Sequence, residues 1–244
     1  HRPARLARLP GALHTAPTTA ARKRIFIKTL RPIVEAELER IAEQRRWLLA
    51  RREAFRSGRL FARERPVLAP LAQEYPLPAA LQPPAAGPIP EATVAALLER
   101  VDVVPASLVI AQAAIESGWG RSRFARLGNN LFGQWVTGDT PGIEPLGAAG
   151  AGFRLAAYPT PAASVRSYLR NLNTHPAYRR LRRLRARLRA EGRPLDGITL
   201  AAGLRLYSER RDAYVAELRR IIRDNHLETA GRVTLASAGL DPVP

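Results

Sequence analysis

Apolar residues at Leu30, Ile33, Val34, Leu38, Ile41 and Leu48 recur at helical spacing, with Glu35, Glu37, Glu39, Arg40 and Arg45 on the opposite face. The period predicts helix from Lys23 to about Arg56, with Pro32 in a first turn or at a break between two helices. Ahead of it, Pro, Arg, Thr and Ala mix without period, which predicts a flexible tail over residues 1–21. Eight prolines between Pro66 and Pro90 make residues 64–90 an extended connector, too proline-rich for a helix of any length. Glu91–Arg100 reads as a helix behind Pro90, and Ser107–Ser117 as another opened by Pro105. Scattered glycines with Trp135, Val136, Ile143, Phe153 and Tyr158 predict a loop and a small β-hairpin or lobe over 128–160.

Helical spacing then returns. Val165, Tyr168, Leu169 and Leu172 share one face of a helix starting at Pro161 or Ala162. Leu181, Leu184 and Leu188 dock an arginine-rich helix that Gly192 stops, its arginines covering the rest. Leu200–Leu206 and Arg210–Asn225 supply two more helices, and the stretch after Leu227 looks weakly ordered. The expected class is mostly α (α+β): a helical body, a small β lobe and an N-terminal helical extension. The expected division is a tail at 1–21, the extension and connector at 22–90, the main domain at 91–228 and a C-terminal tail at 229–244.

Composition narrows this picture only in part. With 244 residues and 46% hydrophobic content the chain can bury a real core, and no apolar run is long enough to span a bilayer. It opens at His1, as a mature form or a fragment does. Without cysteine there are no disulfides, thiolate metal sites or cysteine nucleophiles. The formal net charge of +18 favours polyanions, whether nucleic acid, anionic lipid or anionic wall polymers, and selects none of them. His1, His14, His175 and His226 lack metal-ligand spacing, and no serine sits in a nucleophile elbow.

The run AQAAIESGWG at 111–120 changes the picture most. Leu108, Ile110, Ala111, Ala114 and Ile115 surround their helix with apolar groups, and a helix apolar all round is buried. Glu116 stands in its last turn, before Gly118 and Gly120. Helix dipole and burial both disfavour its charge there, as suits a general acid in glycoside cleavage. Trp119 is expected as an apolar wall, and Gln112, one turn back, as a hydrogen-bond partner of the acid or of a sugar. By position alone such an acid is more often an ordinary surface glutamate. The flanking RSRFARLGNNLFGQW adds amides at Asn129 and Asn130 and a flat ring at Trp135, which suit the hydroxyl edges and C–H face of a sugar. Phe132 reads as core.

AQAAIESGWGRSRFARLGNNLFGQW resembles the signature of bacterial N-acetylglucosaminidases of glycoside hydrolase family 73, in their Bax-like branch. YPTPAASVRSYLRNLNTHPAYRRLR, YSERRDAY and RKRIFIKTLRPIVEAE extend the likeness from about residue 22 to 227. The resemblance implies a lysozyme-like fold with a groove between body and lobe. It implies hydrolysis of the β-1,4 bond after N-acetylglucosamine in peptidoglycan, in the cell envelope, periplasmic or secreted, without metal or cofactor. It places Glu116 on the catalytic acid and Tyr207 on a tyrosine that faces that acid; Tyr214 reads as packing. Gln112, Asn129, Asn130, Gln134 and Trp135 are the expected glycan contacts.

A second acid is harder to find. The β lobe offers Asp139 and Glu144, of which Glu144 is the stronger candidate; failing both, the substrate's own acetamido group serves as nucleophile. Carboxylates roughly 6.5–9.5 Å apart mark inversion and about 5 Å mark retention. Three other readings stay open: a muramidase or lytic transglycosylase on the same fold, a wall-binding protein without catalysis, and a basic nucleic-acid-binding protein. The last lacks aromatics interleaved with its basic run. The N-terminal extension has no role legible in its residues.

Overall fold

The computed structural model describes residues 6–57, 65–84, 88–137, 142–144 and 153–228. The chain folds as α1 (Ala12–Thr15), α2 (Thr19–Ala50), α3 (Arg52–Arg56), α4 (Arg65–Glu74), α5 (Glu91–Arg100), α6 (Ala106–Ser117) and α7 (Arg123–Gly128). Strands β1 (Trp135–Thr137), β2 (Gly142–Ile143) and β3 (Phe153–Ala156) follow, then α8 (Pro161–Thr174), α9 (Arg179–Ala190), α10 (Gly197–Leu200) and α11 (Arg211–Asp224). The outcome is the mostly helical body with a small β lobe that the patterning and the resemblance led us to expect.

Helix α6 is the axis of the body. Every residue from Ala106 to Ala114 is buried, as its all-round apolar sequence requires, with α2, α10 and α11 packed around it. Thr18 caps α2 and Thr160 caps α8, each accepting an N–H from the first turn. Pro105 precedes α6, and Gly192, at φ 62°, follows α9 as its stop. The sheet has the order β1–β3–β2, antiparallel throughout, so the two strands nearest in sequence are not neighbours.

Three expectations are corrected. Pro32 does not break the first helix: α2 runs unbroken through it, because Phe26, Leu30 and Val34, Leu38, Ile41 continue one buried stripe on both sides. A ten-residue helix, α4, forms inside the proline-rich connector, with Pro66 in its first turn, where a missing N–H costs little. Pro70 lies in its interior, while Leu68 and Leu71 are buried. The N-terminal tail is not free from residue 6 onward: it forms α1, buries Leu13 and binds the body, while residues 1–5 lie outside the described residues, as do Asp139 and the tail at 229–244.

The arginine-rich α9 also differs from its expected form. Its arginines do not simply cover the solvent side, since Arg182 and Arg185 are buried. Arg185, 1% exposed, donates to the carbonyls of Asp102 (2.8 Å) and Glu99 (2.8 Å) and to Asn173 Oδ1 (2.8 Å). Asp102, 3% exposed, receives Arg189 at 2.8 Å, with Arg45 at 3.5 Å and Arg185 at 3.7 Å. Burial pushes the Asp102 carboxyl up and these guanidiniums pull it down further, so the net direction is down. The cluster ties α2, α8 and α9 to the segment between α5 and α6.

Candidate active site

The end of α6 is shaped by left-handed backbone. Gly118, Trp119 and Gly120 stand at φ 57°, 58° and 81° in succession. The Trp119 N–H donates to Ala114 O (2.8 Å), and the Gly120 N–H to Ser117 Oγ (2.8 Å), so the chain leaves the helix tightly below Glu116. A non-glycine residue in this region costs about 1–2 kcal/mol. At Trp119 the offset comes from α2: its ring meets Phe26 edge-on at 5.7 Å, and Lys23 Nζ lies 4.9 Å from its centre.

Glu116 itself is half-buried. Its Oε1 accepts a hydrogen bond from the Tyr214 hydroxyl at 2.8 Å. Tyr214 Oη in turn accepts from Gln112 Nε2 (3.0 Å), and Gln112 Oε1 accepts from the Tyr168 hydroxyl. A line of donors therefore runs from the core to one oxygen of the acid. Aromatic rings fix the line sideways. Phe132 stacks on Tyr168 at 3.8 Å, and Tyr207 stacks on Tyr214 at 5.6 Å, both pairs 7° from parallel. Tyr178 packs on Tyr207 at 5.9 Å.

The other carboxylate oxygen has a different neighbour. A Cβ built on Gly133 would stand 3.8 Å from Glu116 Oε2. Gly133 has φ 64°, so the position favours glycine on backbone grounds as well. One oxygen is thus pinned by a phenol, and the other faces a residue that brings no side chain.

Burial raises the Glu116 pKa above the ordinary carboxyl value. The Tyr214 hydrogen bond pulls it down, Glu217 raises it, and Arg210 lowers it. Glu217 and Arg210 pair with each other at 2.7 Å, so their opposed effects largely offset and desolvation decides the direction. A carboxyl so placed holds its proton to higher pH than an exposed glutamate does, which is the state a general acid requires.

A family profile described as Glucosaminidase, mannosyl-glycoprotein endo-beta-N-acetylglucosaminidase, matches residues 92–227, more than half of the chain. The chain belongs to the glucosaminidase family. It is accordingly a glycoside hydrolase. The glucosaminidase is also 32% identical over 213 residues to Protein bax of Escherichia coli (strain K12), covering 87% of this chain and 73% of that one. Among solved structures it is similar to the catalytic domain of the autolysin Auto from Listeria monocytogenes, at 23% identity and TM-score 0.40, covering 52% of this chain and 75% of that one.

Several residues of the glucosaminidase stand elsewhere than the sequence suggested. Gln112 is fully buried with both ends of its amide engaged by tyrosines, so it reaches neither the acid directly nor a sugar. Asn129, also buried, uses its amide N–H groups on Ala7 O and Tyr158 O, both at 3.0 Å. Asn130 spans its own loop, donating to Gln134 O (2.9 Å) and accepting from the Gln134 N–H (3.1 Å). Both asparagines therefore brace the loop after α7 instead of facing a glycan. Gln134, half-buried, accepts the Tyr158 hydroxyl at 2.8 Å. Trp135 stands 56% exposed on β1. Glu144 lies exposed after β2, its carbonyl accepting from Arg123 (3.0 Å).

The hydrogen bond to Glu116 comes from Tyr214 and not from Tyr207. Tyr207 donates its hydroxyl to Phe132 O (2.9 Å) and supports Tyr214 by stacking. Tyr214, expected as packing, is the residue bonded to Glu116. A signal was available: Tyr214 opens the apolar stripe Tyr214, Val215, Leu218, Ile221, Ile222 of α11, and a buried phenol needs a polar partner. The sequence does not say which partner. Trp119, expected as a wall of the acid, turns its ring to Phe26 and Lys23.

Proposed function

We propose that this glycoside hydrolase is an endo-β-N-acetylglucosaminidase of peptidoglycan, cutting the β-1,4 bond after N-acetylglucosamine with Glu116 as general acid. The observation that carries the reading is the asymmetry of the Glu116 carboxyl: Oε1 fixed by Tyr214, Oε2 turned to Gly133, and a pKa raised by burial. The proton held on Oε2 passes to the glycosidic oxygen as the bond to the anomeric carbon breaks. The leaving strand departs as an alcohol. Positive charge builds on the sugar ring and is quenched by water, which gives up its own proton.

Glu144, exposed directly after β2, is the proposed partner that takes that proton. If it does not reach the ring, the acetamido oxygen of the N-acetylglucosamine unit attacks the anomeric carbon first. Trp135, exposed on β1, offers the flat face for a sugar. The net charge of +18 favours approach to a wall rich in carboxylates and phosphates, and such a substrate lies in the cell envelope, with the enzyme periplasmic or secreted. Among the described residues no helix is long and apolar enough to cross a membrane.

Purified sacculi, digested and analysed by mass spectrometry, test the reading. New reducing N-acetylglucosamine ends support it. Reducing or anhydro-muramic ends would move the activity to the neighbouring bond, and Glu116→Gln cutting at the full rate would remove the acid from its role.

A further inference from the structure

The N-terminal segment is the part of the chain for which neither the site nor the family supplies a use, and the family profile begins only at residue 92. Its contacts are specific. A Cβ built on Gly120 would meet Leu9 Cδ1 and Leu13 Cδ1, both at 3.2 Å, and Phe26 Cδ2 at 3.3 Å. Three side chains of the segment thus close over the turn four residues past Glu116. Beside them, Lys23 and Phe26 hold the Trp119 ring. The Ala7 carbonyl accepts from Asn129, which ends α7 at φ 51° and also binds Tyr158 O. Leu13 is buried although α1 has only four residues.

From these contacts we infer that residues 6–26 form a positioning strap, in which Leu9 and Leu13 lock the Gly118–Trp119–Gly120 turn and thereby fix the aim of Glu116. The inference rests on Glu116 being the acid. The physical reason is local. Three consecutive residues with positive φ form a turn whose conformation ordinary residues avoid, and Trp119 keeps it only while its ring is anchored. The turn is bonded back to α6 through Ala114 O and Ser117 Oγ, so motion there moves the helix end that carries the carboxyl. The two leucines act on the acid through the turn at Gly120.

The test uses the full chain with Leu9 and Leu13 both changed to Gln. A displacement of a reacting group by about 1 Å costs on the order of 100-fold in rate, so kcat should fall at least about tenfold while KM stays within about twofold. Amide exchange at Trp119, Gly120 and Ser122 should speed up by about tenfold or more, with α8 and α11 unchanged. Changing both leucines to Met, which keeps the apolar contact, should restore both. Leu9→Ala, at a half-buried position, removes one contact without threatening the core; kcat should fall about threefold to fivefold. The inference is overturned if Leu13 and His14 amides exchange freely, reporting a released strap, while the turn stays protected and kcat stays at the parent value. An unchanged kcat in Leu9→Ala counts against it equally. The exchange measurement needs no activity, so a Glu116→Gln enzyme that still cuts would sink the acid while leaving the strap's grip on the turn measurable.

Discussion

Removing one oxygen, in Tyr214→Phe, isolates the contact that holds the acid. The ring stays stacked on Tyr207, so shape is preserved, but Glu116 Oε1 loses its donor and Gln112 Nε2 loses its acceptor. Gln112 is fully buried, and leaving such a group unsatisfied costs about 1–3 kcal/mol. For a chain of this size each kcal/mol lowers the melting temperature by roughly 2–4 °C. The catalytic effect has a direction of its own. The Tyr214 hydroxyl favours the charged carboxylate, so without it the Glu116 pKa rises further. A general acid works protonated, so the alkaline limb of kcat/KM should move to higher pH. At the plateau kcat should drop about tenfold, because the carboxyl has lost its orientation. Initial rates on a soluble glycan across the pH range, with thermal melts of the same samples, read both effects. An alkaline limb that stays in place or moves to lower pH would refute the argument that this hydroxyl bears on the acid's proton.

Other expected outcomes follow from the contacts around Glu116 and Asp102. Glu116→Gln should lower kcat about 100-fold or more. Because the folded pKa of Glu116 is raised, its contribution to stability is present below the ordinary carboxyl pKa and is lost as pH rises through the folded value, so the Gln variant should gain stability relative to the parent between acid and neutral pH in paired melts. Gly133→Ala puts a methyl 3.8 Å from Oε2 at φ 64°; the fold should lose about 1–2 kcal/mol and activity should fall far more than binding to sacculi, as a pull-down beside a rate assay would show. Asp102→Ala strands buried Arg185 and its neighbours without their counter-charge and should cost about 3–5 kcal/mol in denaturant titration.

How much of this was legible in the chain depends on the range of the interaction. The all-round apolar character of residues 106–114 foretold a buried helix, and Glu116 at its end foretold a carboxyl short of water. Those are local properties of one helix and its own turn, and sequence carries them directly. Pro32 misled because a proline's cost is local while the packing that outweighs it, the stripe from Phe26 to Leu48, lies on both sides against other helices. Asn129 and Asn130 looked like sugar ligands because amides suit hydroxyls, yet amides suit carbonyls equally: Asn129 takes those of Ala7 and Tyr158, and Asn130 that of Gln134 in its own loop.

The amino-acid sequence by itself determined the helical body, the buried α6, the family and the place of Glu116 at the end of that helix, because periodicity, apolar content and a contiguous motif are written along the chain. Only the tertiary structure decided which tyrosine holds Glu116, that Gln112 is sealed away, and that Leu9 and Leu13 close over the turn behind the acid. Tyr214 lies 98 residues from Glu116, and Ala7 lies 122 from Asn129. A hydrogen bond of that separation depends on where whole helices pack, and the residues at either end do not record it.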